Sequence, residues 1–154
     1  MKKDFKRFSI LVVLAICLHI LVSSAWAADS NSPEQVIKKF AQAYYGLDRS
    51  MGDYMSRDAR FNQDNVDMVD LYYDMKTYEA INQGYRLSYF KMQPVMIKTQ
   101  IMEKGDDVIK VRCDVSTIRS INPLFRAVGF LFGLLDEHNE SHVFSMVKED
   151  GHWK

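Results

Sequence analysis

The stretch that decides the fold is residues 95–118, VMIKTQIMEKGDDVIKVRCDVSTI. Apolar and polar side chains alternate along both halves of it, and a glycine followed by two aspartates separates the halves. Alternation with a period of two is typical of strands that bury one face, and β-branched residues fill most of the apolar positions, as strands favour. The sequence therefore predicts a β-hairpin whose odd-numbered side chains face a core.

The turn sets the predicted register of this hairpin. Pairing Ile101 with Ile109 places odd positions opposite odd positions, with Ile97 opposite Cys113, and it leaves residues 104–106 or a slightly wider stretch as the loop. A two-residue turn at Gly105 would instead set apolar side chains opposite charged ones. We therefore expect the longer loop.

The first 27 residues have the features of a secretory signal peptide. Four basic residues precede an apolar run over 8–22, and Ala25-Trp26-Ala27 is a small-x-small cleavage site. The apolar run has about 15 residues, short of the ~20 that a membrane-spanning helix needs. We expect cleavage after Ala27, export to the periplasm or the medium, and a single mature domain over residues 28–154.

The mature chain is mildly acidic and has one cysteine. The leader holds four of the 20 basic residues and one of the 20 acidic residues, so its removal leaves a net charge of −3. This charge argues against nucleic acid as a partner. Cys17 leaves with the leader, so a hydrophobic core rather than a disulfide must hold the fold. We expect Cys113, on the apolar strand face, to be a buried and unreactive thiol.

A capped helix is predicted at the beginning of the mature chain. Ser32 precedes Pro33 and stands three residues before Gln35, which is a capping box with proline at the first helical position. Gly46 ends or kinks this helix. Apolar residues at helical spacing form one stripe, made of Val36, Ile37, Phe40, Ala43, Tyr44 and Leu47.

Two further helices and a short strand are predicted before the hairpin. A short helix covers residues 48–56, and a strand lies around Ala59-Arg60-Phe61. The longest helix covers residues 65–83, with Gly84 suited to the position after its end. Its apolar face has helical spacing and contains Met68, Leu71, Tyr72, Met75 and Tyr78.

Beyond the hairpin the sequence predicts a polar break over 136–141, a strand over 142–149, a tight turn at Asp150-Gly151 and a closing strand. His138 and His142 have the i,i+4 spacing that grips zinc on a helix, but in a polar loop entering a strand this spacing does not converge. No metal, nucleotide or catalytic signature stands out. We therefore expect no cofactor and no metal.

This order of elements resembles the nuclear-transport-factor-2-like superfamily, an α+β fold of the cystatin-like type. The opening SPEQVIKKF at 32–40 is similar to the first helix of that superfamily, and the closing Asp150-Gly151-x-Trp153-Lys154 to its final hairpin. The resemblance implies N-terminal helices packed on a curved antiparallel sheet that makes a cone. It implies no single function, because relatives include isomerases, dehydratases and binding proteins.

In such a cone, inward strand residues and helix stripes would line a pocket for a small apolar ligand held by a few hydroxyl groups. The alternative is a filled core without a cavity, because aromatic and methionine stripes are ordinary packing. The residues predicted to line the pocket are Phe40, Tyr44, Tyr72, Tyr78, Ile97, Thr99, Val111, Cys113 and Val115.

Proton-transferring members of the superfamily resemble ketosteroid isomerase, with a pocket carboxylate as base and a tyrosine or protonated acid as oxyanion donor. The hairpin face predicted to point inward carries no carboxylate, since Asp114 falls on the polar face. Asp48 with Tyr44 is the best remaining pair. We therefore expect a non-catalytic domain first, and an isomerase or dehydratase as the alternative.

Residues 121–135, INPLFRAVGFLFGLL, are strongly apolar and carry one charge. Three interpretations stay open: a lid over the core, a surface for a second copy or another protein, and contact with a membrane surface. The lack of a face rich in Lys and Arg argues against membrane contact. The residues of this candidate interaction surface are Leu124, Phe125, Val128, Phe130, Leu131, Phe132 and Leu135.

Overall fold

Long antiparallel strands form the framework of the protein. The computed structural model describes residues 31–119, 128–129 and 131–154. Its sheet has four strands in sequence order, each antiparallel to the next. The strands are β1 (Met92–Lys104), β2 (Val108–Arg119), β3 (Glu137–Glu149) and β4 (His152–Trp153). The fold is α+β, with helices preceding an antiparallel sheet, as the sequence predicts.

Helical segments occupy the described chain before the sheet. They are α1 (Pro33–Tyr45), the single turn α2 (Arg57–Arg60) and α3 (Met68–Asn82), with 3₁₀ helices at Arg49–Tyr54 and Leu87–Phe90. The predicted short helix after α1 is confirmed by the first 3₁₀ helix. The strand predicted around Ala59 is wrong, because Ser56 caps a helical turn there by accepting a hydrogen bond from the Ala59 amide at 3.2 Å.

Local sequence signals set both ends of α1. The Ser32 side chain accepts a hydrogen bond from the Gln35 amide at 3.4 Å, and Pro33 occupies the first turn. Gly46 follows the helix and donates to the Gln42 carbonyl at 3.1 Å. The helix packs on β1 and β2. Both predicted ends of this helix are confirmed.

The alternation of the hairpin is confirmed, and its register is shifted by two residues. Ile97 pairs with Val115 and Ile101 pairs with Val111, so odd positions still face odd positions. The shift begins at the turn, where Lys104 pairs with Ile109. An unpaired residue at Met102 then restores odd-to-odd pairing, and a second unpaired residue, Val95, interrupts the ladder beyond Ile97. As a result Val95, predicted to point inward, is exposed.

The loop of the hairpin also differs from the prediction. The connection is Gly105-Asp106-Asp107, one residue later than the predicted 104–106. The Gly105 amide donates to the Val108 carbonyl at 2.9 Å, and this bond closes the turn. Three residues separate the strands, but the pairs next to the turn, Glu103 with Lys110 and Lys104 with Ile109, set odd positions opposite even ones, as the shorter turn would. The prediction that the turn itself keeps odd positions opposite odd ones is therefore wrong.

The inner face of the sheet forms the main core together with α1. Val111 and Cys113 are fully buried at 0% exposure, and the polar neighbour Arg112 is exposed. The members of this core are Val36, Ile37, Ala41, Ile109, Val111, Cys113, Val115 and Met146. The prediction that β2 turns its odd-numbered side chains inward is therefore confirmed.

The longest helix presents a different face from the predicted one. It begins at Met68 rather than 65, because the Asp67 side chain accepts from the Val69 amide at 2.8 Å and caps it. It buries Val69 and Ala80, whereas Tyr78 of the predicted stripe is 68% exposed. An ion pair between Arg60 and Asp67, at 2.9 Å, fixes this end of the helix.

The third strand begins five residues earlier than predicted. β3 starts at Glu137, so the predicted polar break at 136–141 is largely strand. Polar side chains on the outer face satisfy one another there: Ser141 donates to Asp114 at 2.6 Å, and Ser116 hydrogen-bonds Asn139. The tight turn before β4 is confirmed, since Asp150 and Gly151 both have positive φ, 50° and 79°.

The candidate interaction surface is only partly within the described chain. Leu124, Phe125 and Phe130 lie outside the described residues, as do residues 1–27 of the predicted leader. Leu131 is 77% exposed, and Val128 and Phe132 are also exposed, whereas Leu135 is half-buried. A helical turn ends there, because Gly133 has a positive φ of 64°. Within the described part of the chain, no helix has both the length and the hydrophobicity to cross a membrane.

Candidate ligand-binding site

A cavity of ≈ 210 Å³ lies between α1 and the inner faces of β2 and β3. α1 contributes residues one helical turn apart, and the strands contribute residues of one parity, so both elements direct side chains into the same space. Most of its wall is apolar. The described lining residues are Phe40, Ala41, Tyr44, Tyr45, Cys113, Val115, His142 and Phe144.

Four of the residues predicted to line the pocket are brought together in this cavity: Phe40, Tyr44, Cys113 and Val115. The others lie elsewhere in the fold. Val111 is in the packed core, and Ile97 and Thr99 are half-buried on β1. Tyr72 borders a neighbouring cavity. Tyr78 faces away, exposed on α3.

Four lining residues were not predicted. Ala41 and Tyr45 lie on α1, and His142 and Phe144 lie on β3. The even-numbered residues of β3 face the same side as the odd-numbered residues of β2, since His142 pairs with Cys113. Extending the period-two pattern along β3 would have found His142 and Phe144, the two lining residues on this strand.

Aromatic rings form the wall of the cavity. The Phe40 ring stacks near Tyr44 at a centroid distance of 5.9 Å and meets Phe144 edge-on at 5.7 Å. Tyr45 meets Tyr44 edge-on at 5.2 Å. Offset and edge-on ring pairs of this kind hold their geometry well. The wall is therefore built by rings that support one another.

A hydrogen-bonded trio borders the cavity. The Tyr45 hydroxyl donates to Glu140 Oε2 at 2.7 Å, and His142 Nε2 lies 2.9 Å from the same oxygen. The Glu140 side chain is 49% exposed, so it meets solvent on its other side. Hydrogen bonds from Tyr45 and His142 lower the pKa of Glu140. Burial, and then the bond to Glu140, hold the pKa of Tyr45 well above its usual range.

Glu140 places a carboxylate on the inner face of the sheet, where none was predicted. The hairpin supplies no inward carboxylate, as predicted, but β3 does, because Glu140 pairs with the inward Val115. The prediction placed Glu140 in a loop and so missed it.

His138 and His142 both lie on β3, where four residues span roughly 13 Å. Among the described residues no group of three or more His, Cys, Asp or Glu could hold a metal ion.

A second cavity of ≈ 210 Å³ adjoins the first. Tyr44 and Tyr45 line both, so their rings form the partition between the two spaces. Tyr72 stacks on Tyr44 at 5.1 Å and closes one side of the second cavity. This space is more polar than the first. Its other described lining residues are Leu47, Lys76, Phe90, Met92 and Glu140.

The two residues of the weak catalytic pair predicted from the sequence have different positions in the fold. Asp48 caps the 3₁₀ helix that follows α1, and its carboxylate accepts from the Ser50 amide at 2.9 Å. Hydrogen bonding to Ser50 lowers the pKa of Asp48. Tyr44 borders the cavities, but Asp48 is not among their described lining residues. Asp48 therefore serves as a cap in this fold.

Comparison of the chain with models of protein families, with curated proteins and with solved structures gave no significant match. The site must accordingly be interpreted from its own chemistry. It combines a small aromatic cavity, one carboxylate with a lowered pKa at its border, and a buried thiol in its wall.

The thiol of Cys113 is expected to be protected in the folded protein. Burial raises its pKa, and the side chain is buried completely in the described structure. In the chain without residues 1–27, a disulfide reagent should react with Cys113 roughly tenfold or more slowly in buffer than in urea. Equal rates in the two conditions would contradict the burial of this strand face.

Alkaline titration should destabilise the fold through two phenols. Burial raises the pKa of Tyr45 and of Tyr72, so the unfolded chain loses these protons before the folded chain does. Their contribution is present below about pH 10 and is lost as the pH rises beyond it. Tyr45→Phe and Tyr72→Phe should each flatten the alkaline fall in unfolding free energy, measured by urea titration. Tyr78→Phe, on the same helix as Tyr72, is the control, and an unchanged slope in all three variants would contradict the assignment.

Proposed function

We propose that the mature protein is an exported, non-catalytic domain of the nuclear-transport-factor-2-like type that binds a small apolar ligand. The observation that carries this proposal is the aromatic cavity between α1 and strands β2 and β3. Pockets for small molecules are concave and mostly apolar, with a few polar groups that orient the ligand. Here Tyr44, Tyr45 and His142 carry polar groups in the wall.

The chemistry of Glu140 favours binding over proton transfer. A carboxylate that removes a proton from carbon works best when its pKa is raised towards the working pH. Glu140 has the opposite environment, because two hydrogen bonds lower its pKa and half of its side chain meets solvent. An isomerase or dehydratase would need a carboxylate that is better shielded from water.

Native mass spectrometry of the protein purified from its own compartment tests the binding proposal. The expected result is a folded protein that carries a small molecule, which leaves on denaturation. A protein that is empty as purified and also fails to take up small apolar compounds would overturn the proposal. Turnover of an added ketone or enone that Glu140→Gln abolishes would replace it with the proton-transfer alternative.

Export is the second element of the proposal, and it has its own test. The basic start, apolar run and Ala25-Trp26-Ala27 support cleavage after Ala27. The intact mass of the protein recovered from its compartment should correspond to a chain that begins at Ala28. Recovery of the chain with residues 1–27 still attached would overturn this element and leave the ligand-binding element standing.

A second candidate function, pairing with another copy of the chain, is favoured by the exposure of Leu131 and Phe132. Exposed apolar clusters on soluble proteins frequently mark interfaces. Size-exclusion chromatography of the mature protein should give a dimer that Leu131→Glu converts to a monomer. Val143→Glu, at an exposed apolar position on β3, should have no effect. A monomer at all concentrations would remove this candidate.

A further inference from the structure

We infer that the cavity takes an organic cation: an ammonium or trimethylammonium group on a small apolar body, held between the aromatic rings and the Glu140 carboxylate. The inference rests on the proposed function, because it names the class of ligand for the same cavity. Three features of the site support it: the position of one carboxylate, the ring faces around the space, and the neighbouring charges.

The carboxylate of Glu140 has an oxygen to offer to a ligand. Both hydrogen bonds described for Glu140 end on Oε2, which leaves Oε1 to accept from an ammonium group or to attract a trimethylammonium group by its charge alone. Tyr45 and His142, which hold Oε2, are themselves lining residues of the first cavity. Glu140 itself lines the second cavity. The negative charge therefore stands beside the partition that the two cavities share.

The rings supply the second feature. A cation is attracted to the face of an aromatic ring within about 6 Å of its centroid, and quaternary ammonium groups are bound in this way by cages of such rings. Phe40 and Phe144 meet edge-on, and Tyr44 and Tyr45 also meet edge-on, so the rings that line the space lie in different planes. Alkyl groups of the ligand would contact the same apolar wall.

The neighbouring charges do not favour an anion. None of the described lining residues of the first cavity is Lys or Arg. Lys76 lines the second cavity, but its Nζ lies 2.8 Å from Glu79, which offsets its charge. Lys38 acts electrostatically on Cys113 from α1, opposed by Asp114. An anion would therefore meet the Glu140 charge with no Lys or Arg among the described lining residues of the first cavity to offset it.

The volume limits the size of the ligand. A cavity of ≈ 210 Å³ is below the roughly 300–1,000 Å³ of pockets for drug-sized molecules. A trimethylammonium group with a short chain is of a suitable size, whereas a steroid-sized ligand would need the Tyr44 and Tyr45 rings to move aside and join the two cavities. We therefore expect small amines and quaternary ammonium compounds to bind best.

Three probes with nearly the same shape test the inference: choline, its neutral carbon isostere dimethylbutanol, and the anion dimethylbutanoate. Calorimetric titration at low salt should give an affinity for choline about tenfold or more above that for the alcohol, with the anion weakest. Glu140→Gln should lower the affinity for choline several-fold and leave only the smaller preference that the rings provide. Glu137→Gln, on the same strand but the opposite face, should leave the preference unchanged.

The outcomes separate this inference from the proposed function. Equal binding of the cation and the alcohol, or tighter binding of the alcohol or the anion, overturns the inference and leaves the apolar binding site standing. An undiminished preference for choline in a folded Glu140→Gln variant also overturns it, because the carboxylate then has no role. Failure of all three probes to bind overturns the inference, and together with a protein that is empty in native mass spectrometry it overturns the proposed function as well.

Discussion

Val111→Asp is expected to unfold the protein at room temperature, whereas Arg112→Asp is expected to leave it folded. Val111 has 0% exposure and belongs to the core between the sheet and α1. A carboxylate placed there without a partner should lower the unfolding free energy by roughly 5 kcal/mol, about the whole stability of a small domain. Circular dichroism during urea titration measures the change.

The adjacent position provides the control for this prediction. Arg112 lies on the outer face of β2, where its side chain is exposed. An aspartate there should change the unfolding free energy by about 1 kcal/mol or less. If Arg112→Asp unfolded the protein while Val111→Asp did not, β2 would face the opposite way and the cavity would lose its strand wall.

The second large effect is expected when the cavity is filled from α1. Ala41 is buried and lines the cavity, so Ala41→Leu places three more carbon atoms in the space a ligand would occupy. Affinity for a small apolar compound should fall by about tenfold or more, because the ligand and the new side chain compete for the same volume. The cost to stability should be about 1–3 kcal/mol, as for other enlarged core residues.

Gln42→Leu is the matched control for the filled cavity. It is the next residue on α1, and its side chain is exposed. The same new side chain at this position should leave the affinity unchanged, measured by the same titration. Unchanged affinity in Ala41→Leu, with the variant folded, would place the binding site outside the cavity.

The parity of the hairpin was predictable because every second residue of β2 from Ile109 to Thr117 is apolar or small and uncharged. Slipping such a strand by one residue would expose the whole apolar set. The register was not predictable, because it depends on where the turn lies and on the unpaired residue at Met102. An extra residue in a strand leaves no mark in the alternation until its partner is known.

Half of the cavity wall could be predicted, for the same physical reasons. Phe40 and Tyr44 followed from the helical spacing of α1, and Cys113 and Val115 from the parity of β2. Glu140 and His142 were missed because polar residues before them are typical of a loop. They lie in a strand because polar side chains on its outer face form hydrogen bonds across the sheet, such as that from Ser141 to Asp114.

The orientation of α3 was not predictable from its sequence. Apolar residues occur all round this helix, so spacing alone could not choose the buried face. The buried face of α3 is set by contacts with elements distant in sequence, and the stacking of Tyr72 on Tyr44 is one of these contacts. The predicted lining residue Tyr78 consequently faces solvent.

Amide NMR spectra of the chain without residues 1–27, recorded during titration with a small apolar compound, test the central claim most directly. A ligand in the cavity between α1 and the sheet should shift the amides of Ala41, Cys113, Val115 and Phe144 together and saturably. Val143, exposed beside Phe144 in sequence, provides an internal comparison along β3. An absence of saturable shifts at these residues, or shifts confined to Leu131 and Phe132, would contradict the claim.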